Sequence, residues 1–233
     1  MRVHIGTSGF YYRQWAGSFY PEDTRRDRLL EYYSTRLGTV EINSSFYRMP
    51  PALVLKGWAG QVPSGFVFSI KAPSYITHKK RLKDASENML EFYAPLKAAK
   101  KKYRVALFQL PPSLKPDLGL LSDFIYLLDP ELINVFEFRH GGWLNGGVYD
   151  LLSSRGAAVC TAVKEVPCEG IMTSGGVVYA RFHGNKKGKY SKRELARQLE
   201  ALLKPGLDVY IYFNNDSVYA MENALTMKEL YEG

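Results

Sequence analysis

The feature of this sequence that most restricts its fold is a series of eight short strand-like runs separated by mostly helical segments. Each run is apolar or rich in β-branched residues along most of its length. Continuous runs of this kind are typical of a parallel sheet covered by helices. The eight predicted strands are residues 3–6, 39–43, 67–71, 105–109, 134–139, 158–162, 177–183 and 209–214.

Helical patterns with recognisable starts lie between most of these runs. Asp84 followed by Glu87, and Ser191 followed by Glu194, have the spacing of helix starts, and the second pair has the capping-box form. The predicted helices cover residues 27–36, 52–61, 118–128, 148–155 and 219–231, with two more beginning after Asp84 and at Ser191.

Strands alternating with helices predict an α/β fold, a TIM (β/α)8 barrel formed by residues 1–233 as a single domain. Residues 164–176 have no convincing helical pattern, so we expect one reduced βα connection, between strands 6 and 7. A doubly wound open sheet is the rival fold. It is disfavoured because no glycine fingerprint with the required spacing follows the first strand.

Composition restricts the setting and the partners. With 46% hydrophobic residues the chain can bury a core, yet no apolar run reaches the ~18 residues of a membrane span. Only Cys160 and Cys168 are present, and the N-terminus passes straight into a strand, so we expect a cytoplasmic protein without a membrane segment. The net charge of +8 favours anionic partners, although ordinary surface lysines would also explain it.

Polar side chains gather where the predicted strands end, which is the active face of a (β/α)8 barrel. Alternate residues of a strand share a face. Glu41 with Asn43, Glu137 with Arg139, and Arg181 with His183 should therefore converge on the barrel mouth if those faces point inward. Lys71, Gln109 and Asn214 end three further strands.

Glu41 and Glu137 are the first candidates for acid–base catalysis, because two carboxyl groups in different surroundings supply one proton donor and one acceptor. His183 is the third catalytic candidate. The alternative is a buried ion-pair network that closes the top of the barrel. A glycosidase-like use of the two glutamates would require their carboxyl groups to lie ~5–9 Å apart.

The remaining candidates suit an anionic ligand. Lys71, Arg139 and Arg181, together with His78, would bind a phosphate or carboxylate. Asn43, Gln109 and Asn214 would orient it. Tyr12 and Trp143 could stack on a base or sugar ring, or could simply pack in the loops.

A metal site is the competing interpretation of Glu41, Glu137, His183 and Asp216. No metal-ligand spacing supports it, and lysine and arginine in the same mouth would repel a cation, so we expect no metal. The sequence contains no P-loop and no G-x-S-x-G elbow, and we expect no cofactor.

The strand-end motifs together resemble those of the family named domain of unknown function 72, also called YecE-like. They are IGTSGF (5–10), VEINSSFY (40–47), KAP (71–73), LFQLPP (107–112), FEFRH (136–140), RFHG (181–184) and YIYFNND (210–216). The resemblance implies a TIM barrel and brings no established reaction. It also implies that Glu41, Asn43, Lys71, His78, Gln109, Glu137, Arg139, His183 and Asn214 occupy motif positions. One departure is the sequence Val163-Lys-Glu165, where many relatives have an aspartate.

Taken together, the sequence predicts a metal-independent enzyme, of hydrolase or lyase type, at the C-terminal face of the barrel. Its substrate would be an anionic small molecule, phosphorylated or derived from a nucleotide. The alternatives are a nucleic-acid-binding protein without catalysis and a glycosidase-like enzyme that uses Glu41 and Glu137.

Overall fold

The fold is seen in a computed structural model that describes residues 1–99, 102–163, 174–184, 188–214 and 217–233. Its strands are β1 Val3–Ser8, β2 Thr39–Ile42, β3 Val67–Lys71, β4 Tyr103–Gln109, β5 Ile133–Glu137, β6 Ala158–Val163, β7 Val177–Phe182 and β8 Asp208–Phe213. The α-helices within these ranges are α1 Leu29–Arg36, α2 Ala52–Gln61, α3 Ser86–Ala99, α4 Leu118–Ile125, α5 Gly146–Ser153, α6 Lys192–Leu202 and α7 Val218–Glu232.

The eight strands form a closed parallel barrel in which each strand pairs with its neighbours in chain order. Closure comes from β8, which pairs in parallel with β1, His4 lying opposite Tyr210. The fold class predicted from the apolar runs, a (β/α)8 barrel, is therefore confirmed. Because all eight strands are parallel, their C-terminal ends meet at one rim.

The boundaries of several elements differ from those predicted. β5, β7 and β8 end one or two residues early, so Arg139, His183 and Asn214 lie just beyond the strands. Asp84 does not begin a helix: its φ of 46° is left-handed, and α3 starts at Ser86.

The start of α6 is as predicted. Ser191 Oγ accepts the backbone N–H of Glu194 at 3.2 Å, and the Glu194 carboxylate accepts that of Ser191 at 2.6 Å. Most of the connection between β6 and β7, with Cys168, lies outside the described residues, and so does Asp216. The end of that connection is a 3-10 turn over Ser174–Gly176.

Two layers of side chains fill the fold. Leucine, phenylalanine and other apolar residues pack between the barrel and its helices. Inside the barrel, Leu107 and Val135 pack with Tyr179, Tyr210 and Tyr212. The interior aromatic rings support the polar groups above them at the mouth. Among the helices of the described ranges, none combines the length and the apolar character needed to cross a bilayer.

Candidate functional site at the barrel mouth

Arg181, on β7, is the central residue of the mouth and is only 1% exposed. Its Nε and Nη2 donate to Oε1 of Glu41 at 3.2 and 2.8 Å, and its Nη1 donates to Oε2 of Glu137. Burial alone would lower the pKa of Arg181, but the two carboxylates raise it above its ordinary value. One charged guanidinium therefore holds both glutamates, as the inward parity of β2, β5 and β7 predicts.

Glu41 has no exposed surface, and its oxygens are engaged by fixed groups. Ser8 Oγ donates to Oε1 at 2.5 Å, and the Tyr179 hydroxyl donates to Oε2 at 2.6 Å. The same hydroxyl lies 2.8 Å from Ser69 Oγ. Burial and the charge of Glu41 raise the pKa of Tyr179 well above its ordinary value, so the phenol stays a proton donor.

Glu137 is equally buried but lies closer to the rim. Its Oε1 is 2.5 Å from Arg139 Nη2 and 3.4 Å from His183 Nε2. Burial would raise the pKa of Glu137. Arg181, the hydrogen bond with His183 and the charge of Arg139 outweigh it and lower the pKa to about 2. The carboxyl group is thus an anion at any physiological pH.

These contacts favour the alternative interpretation of Glu41 and Glu137, a buried ion-pair network, over the predicted acid–base role, which stays a prediction. A general acid or base must reach its substrate within hydrogen-bonding distance. Both carboxyl groups lie beneath the surface in an ion-pair network, which was the alternative interpretation. The guanidinium of Arg181 also lies between the two carboxyl groups, where a glycosidase would place its scissile bond. Arg181 itself is too buried to contact an anion directly.

The groups that keep some exposure are of a different kind. His183 is 16% and Arg139 22% exposed at the side chain. Arg139 Nη2 lies 3.2 Å from His183 Nε2, and the Asn214 amide lies 3.1 Å from His183 Nδ1 and 3.2 Å from Asn43. Asn214 Oδ1 accepts from Asn43 while Asn214 Nδ2 faces His183 Nδ1, so the Nε2 edge of the ring points at Glu137 and Arg139.

Lys71 ends β3 at the rim and is partly buried. Its Nζ donates to Oε1 of Gln109 at 2.7 Å and lies 4.0 Å from the centre of the Phe46 ring. Within the described part of the chain, no carboxylate oxygen pairs with this ammonium group. Burial and the charge of Arg181 lower the pKa of Lys71 to about 8, against the opposing effect of Glu41 and Glu137.

His78 lies in a π-helical turn over Tyr75–Lys79 that follows β3. Its Nδ1 lies 2.9 Å from Thr77 Oγ1, and its ring meets that of Phe46 edge to face at 4.9 Å. Burial and the charge of Lys71 lower the pKa of His78. His78 is therefore a neutral imidazole at pH 7, anchored through one ring nitrogen.

The two aromatic candidates do not line the mouth in the way predicted. Trp143 has no exposed surface, its Nε1 donates to the Leu114 carbonyl at 2.8 Å, and its ring stacks on Phe138. It packs the fold instead of meeting a ligand. The Tyr12 hydroxyl donates to the Ser8 carbonyl at 2.5 Å, and its ring lines a side cavity of about 470 Å³ that reaches Asn43.

Sequence reasoning did not name Tyr179 as part of the site, and it placed Ser8, Ser69 and Phe46 near the strand ends without assigning them a role. Tyr179 is the one that could have been found, because it shares a strand face with Arg181 and His183. Phe46 follows β2 in a 3-10 turn, and nothing in its sequence spacing indicates that it covers a lysine from another strand. The described residues include no group of three His, Cys, Asp or Glu side chains arranged to hold a metal ion.

The matching family and three similar proteins carry names that state no activity. The family described as "Protein of unknown function DUF72" matches residues 4–233. The UPF0759 protein YunF of Bacillus subtilis (strain 168) is 26% identical, over 99% of this chain and 95% of that protein. A DUF72 family protein of Thermotoga maritima MSB8 superposes with a TM-score of 0.82 and 26% identity, over the whole of both chains. Another, from Enterococcus faecalis V583, has a TM-score of 0.78 and 24% identity, covering 100% of this chain and 98% of that one, a likeness that shows the fold alone.

Proposed function

The chain belongs to the DUF72 family, whose name states no activity, and we propose that its barrel mouth is the active site of an enzyme that acts on an anionic small molecule. The substrate class is a phosphorylated compound, nucleotide-derived ones included, or a carboxylate. Reaction types that fit are hydrolysis and elimination, in which proton transfer is the main demand on the protein.

One observation supports this proposal above the others: the carboxylates of the mouth are buried, while its partly exposed groups are cations and hydrogen-bond donors. Glu41 and Glu137 are paired with Arg181 beneath the surface. Arg139 and Lys71 stay within reach of solvent and face a ligand with positive charge. Such groups give an oxyanion charge-assisted hydrogen bonds.

The buried network has a supporting role in this proposal. Glu137 fixes Arg139 from below through Nη2, and His183 contacts the same nitrogen from the side. A guanidinium held on two sides loses little freedom when it binds an anion, which favours affinity. The amides of Asn43, Gln109 and Asn214 complete the set of groups that would orient the ligand.

His78 is the group best suited to transfer protons. Its Nδ1 is anchored by the Thr77 hydroxyl, and its pKa is lowered below the ordinary histidine value by burial and Lys71. When Nδ1–H donates to Thr77, Nε2 is the basic nitrogen of the ring. A neutral imidazole with one fixed nitrogen is the usual form of a histidine general base.

A nucleic-acid partner has less support from the aromatic residues of this face. Trp143 and Phe213 are fully buried and offer no ring to a base. Tyr47, next to the mouth, is 85% exposed and is the strongest candidate among the described residues for stacking. Binding of an oligonucleotide is therefore an arm of the test and not a second proposal.

The test is the binding of inorganic phosphate and pyrophosphate to the full chain, measured by calorimetry, with release of phosphate from a panel of phosphomonoesters as the activity assay. Arg139→Gln and Lys71→Met should each weaken binding about 10- to 100-fold, the effect of one lost charge-assisted contact. Arg36→Gln, at the exposed end of α1 on the opposite side of the barrel, is the matched control and should bind as the wild type does.

Equal loss in Arg36→Gln, or phosphate binding that ignores Arg139 and Lys71, would overturn the anion site. The oligonucleotide arm uses single-stranded DNA at low and high salt. Affinity for DNA that falls steeply with salt and depends on Tyr47 would instead favour the nucleic-acid alternative.

A further inference from the structure

We propose that Lys71 is the nucleophile of this site and forms an imine with the carbonyl group of an anionic aldehyde or ketone. This inference rests on the proposed function and narrows it, because it names the reactive group of the substrate as well as its charge. The anion would be held by Arg139, and the carbonyl carbon would lie against Lys71 Nζ.

The contacts of Lys71 hold its amine in place and leave it without a carboxylate partner among the described residues, which suits a nucleophile. Both neighbouring glutamates are committed to Arg181 and Arg139, so neither gives Lys71 a carboxylate partner. Nζ has a neutral acceptor instead, the amide oxygen of Gln109 at 2.7 Å. The face of Phe46 covers it at 4.0 Å and excludes water from one side.

Burial, more than the neighbouring charges, shifts Lys71 toward the free amine. Arg181 and Arg139 oppose its ammonium form, Glu41 and Glu137 support it, and His78 on the following turn is neutral. Burial and Arg181 together outweigh the glutamates and lower the pKa of Lys71 to about 8. At pH 7 roughly a tenth of Lys71 is then unprotonated, against less than about one part in a thousand for an ordinary lysine. Desolvation beside a second cation is a known way to activate a lysine nucleophile.

The position of Lys71 also suits a covalent role. It ends β3 at the C-terminal rim, where the catalytic residues of barrel enzymes lie. Because the strand fixes its backbone and Gln109 and Phe46 fix its side chain, the amine is presented from a rigid support. Arg139, two residues beyond the end of β5, approaches the same mouth from the far side of Gln109, which pairs in register with Glu137.

The chemistry balances without any redox partner. The lone pair of the neutral amine attacks the carbonyl carbon, a C–N bond forms and the carbonyl π electrons move to oxygen. Transfer of a proton from nitrogen to oxygen gives the carbinolamine. Loss of that hydroxyl as water, with a second nitrogen proton completing the water molecule, leaves the C=N bond. His78, whose ring and Lys71 Nζ both contact the ring of Phe46, is the residue suited to carry these protons.

An imine at Lys71 would allow reactions in which a bond to the carbon next to the C=N group is broken. A protonated imine withdraws electrons from the neighbouring carbon, so bonds to that carbon break more readily. Elimination, decarboxylation and aldol-type cleavage all proceed this way. The anion site would select which carbonyl compounds reach Lys71.

The experiment traps the imine in the wild-type protein. Full-length chain is incubated with pyridoxal 5′-phosphate, used as an anionic aldehyde, or with glyoxylate, then reduced with borohydride and mapped by peptide mass spectrometry. At pH 7 we expect Lys71 to be modified at least about tenfold faster than Lys56, an exposed lysine on α2 that serves as the internal control. The rate at Lys71 should rise with pH to a midpoint near 8.

Two further arms separate the failure of this inference from the failure of the anion site. Lys71→Arg keeps the positive charge, so it should lose the reduced adduct yet still bind inorganic phosphate. If Lys71 is labelled no faster than Lys56 while phosphate binds through Arg139, the imine proposal is wrong and the anion site stands. If Lys71 is selectively trapped with neutral propionaldehyde as readily as with glyoxylate, and Arg139→Gln changes neither rate, the nucleophile stands and the anion site is wrong.

Discussion

Tyr179 and Tyr210 lie on neighbouring strands inside the barrel with ring centroids 6.2 Å apart, but their hydroxyl groups have opposite surroundings. The Tyr179 hydroxyl donates to Glu41 and meets Ser69. The Tyr210 hydroxyl is buried without a hydrogen-bond partner among the described residues. Stacked rings of the same type thus differ in whether their polar end is satisfied.

This difference predicts opposite outcomes for the same substitution. Tyr179→Phe removes a donor from a buried carboxylate and should lower the free energy of unfolding by about 1.5–3 kcal/mol. Tyr210→Phe removes an unsatisfied hydroxyl and should be neutral or slightly stabilising. Urea unfolding of both variants, followed by circular dichroism, measures the contrast. Equal losses in the two variants would show that the hydroxyl of Tyr179 contributes nothing specific to Glu41.

Arg181 compensates two buried charges at once, so its removal should be among the costliest single changes in the chain. Arg181→Met leaves Glu41 and Glu137 buried without their shared partner and should cost about 3–5 kcal/mol of unfolding free energy. The same change in a Glu41→Gln/Glu137→Gln background should cost much less, because no buried anion is then stranded. A loss of the same size in both backgrounds would mean that Arg181 acts through packing alone.

The lowered pKa of Glu137 predicts how the stability of the protein depends on pH. That pKa falls from 4.5 in the unfolded chain to about 2 in the folded protein, so between those values the unfolded chain binds the proton more readily. Glu137 therefore contributes on the order of 3 kcal/mol to the free energy of unfolding. This contribution is complete above about pH 4.5 and is lost as the pH falls toward 2. Glu137→Gln should flatten the dependence of the unfolding free energy on pH between about 2 and 4.5. The exposed Glu91→Gln, on α3, should leave the slope as it is in the wild type.

The barrel and the convergence of its charges could be predicted from the sequence because both follow from backbone periodicity. Period-two alternation places Glu41, Glu137 and Arg181 on inward faces, and parallel strands bring those faces to one rim. How deeply these three side chains are buried could not be predicted. Whether a carboxylate at a strand end lies under or above the rim depends on the stagger between strands, which the sequence pattern of a single strand does not contain.

The contacts made by loops could not be predicted from the sequence either. Trp143 packs because the carbonyl of Leu114, in the loop before α4, accepts its indole N–H, and no local pattern links the two. His78 is placed by a π-helical turn that is followed by left-handed φ values at Arg81, Leu82 and Asp84. Residues other than glycine rarely adopt such values. Such strained segments concentrate near functional sites, and only a structure reveals them.

The relation between Lys71 and His78 gives the last prediction, which concerns protonation at the mouth itself. Burial and the charge of Lys71 lower the pKa of His78 below its ordinary value of 6.5. Lys71→Met removes that charge, so the imidazolium form becomes less unfavourable and the pKa of His78 should rise. Lys56→Met removes a lysine from the exposed face of α2 and should leave it unchanged. Titration of the histidine ring protons by NMR measures both shifts, with a His78→Gln sample to assign the resonance. A pKa of His78 that stays the same in Lys71→Met would show that the two groups are electrostatically independent, and His78 would lose its place as the proton carrier beside Lys71.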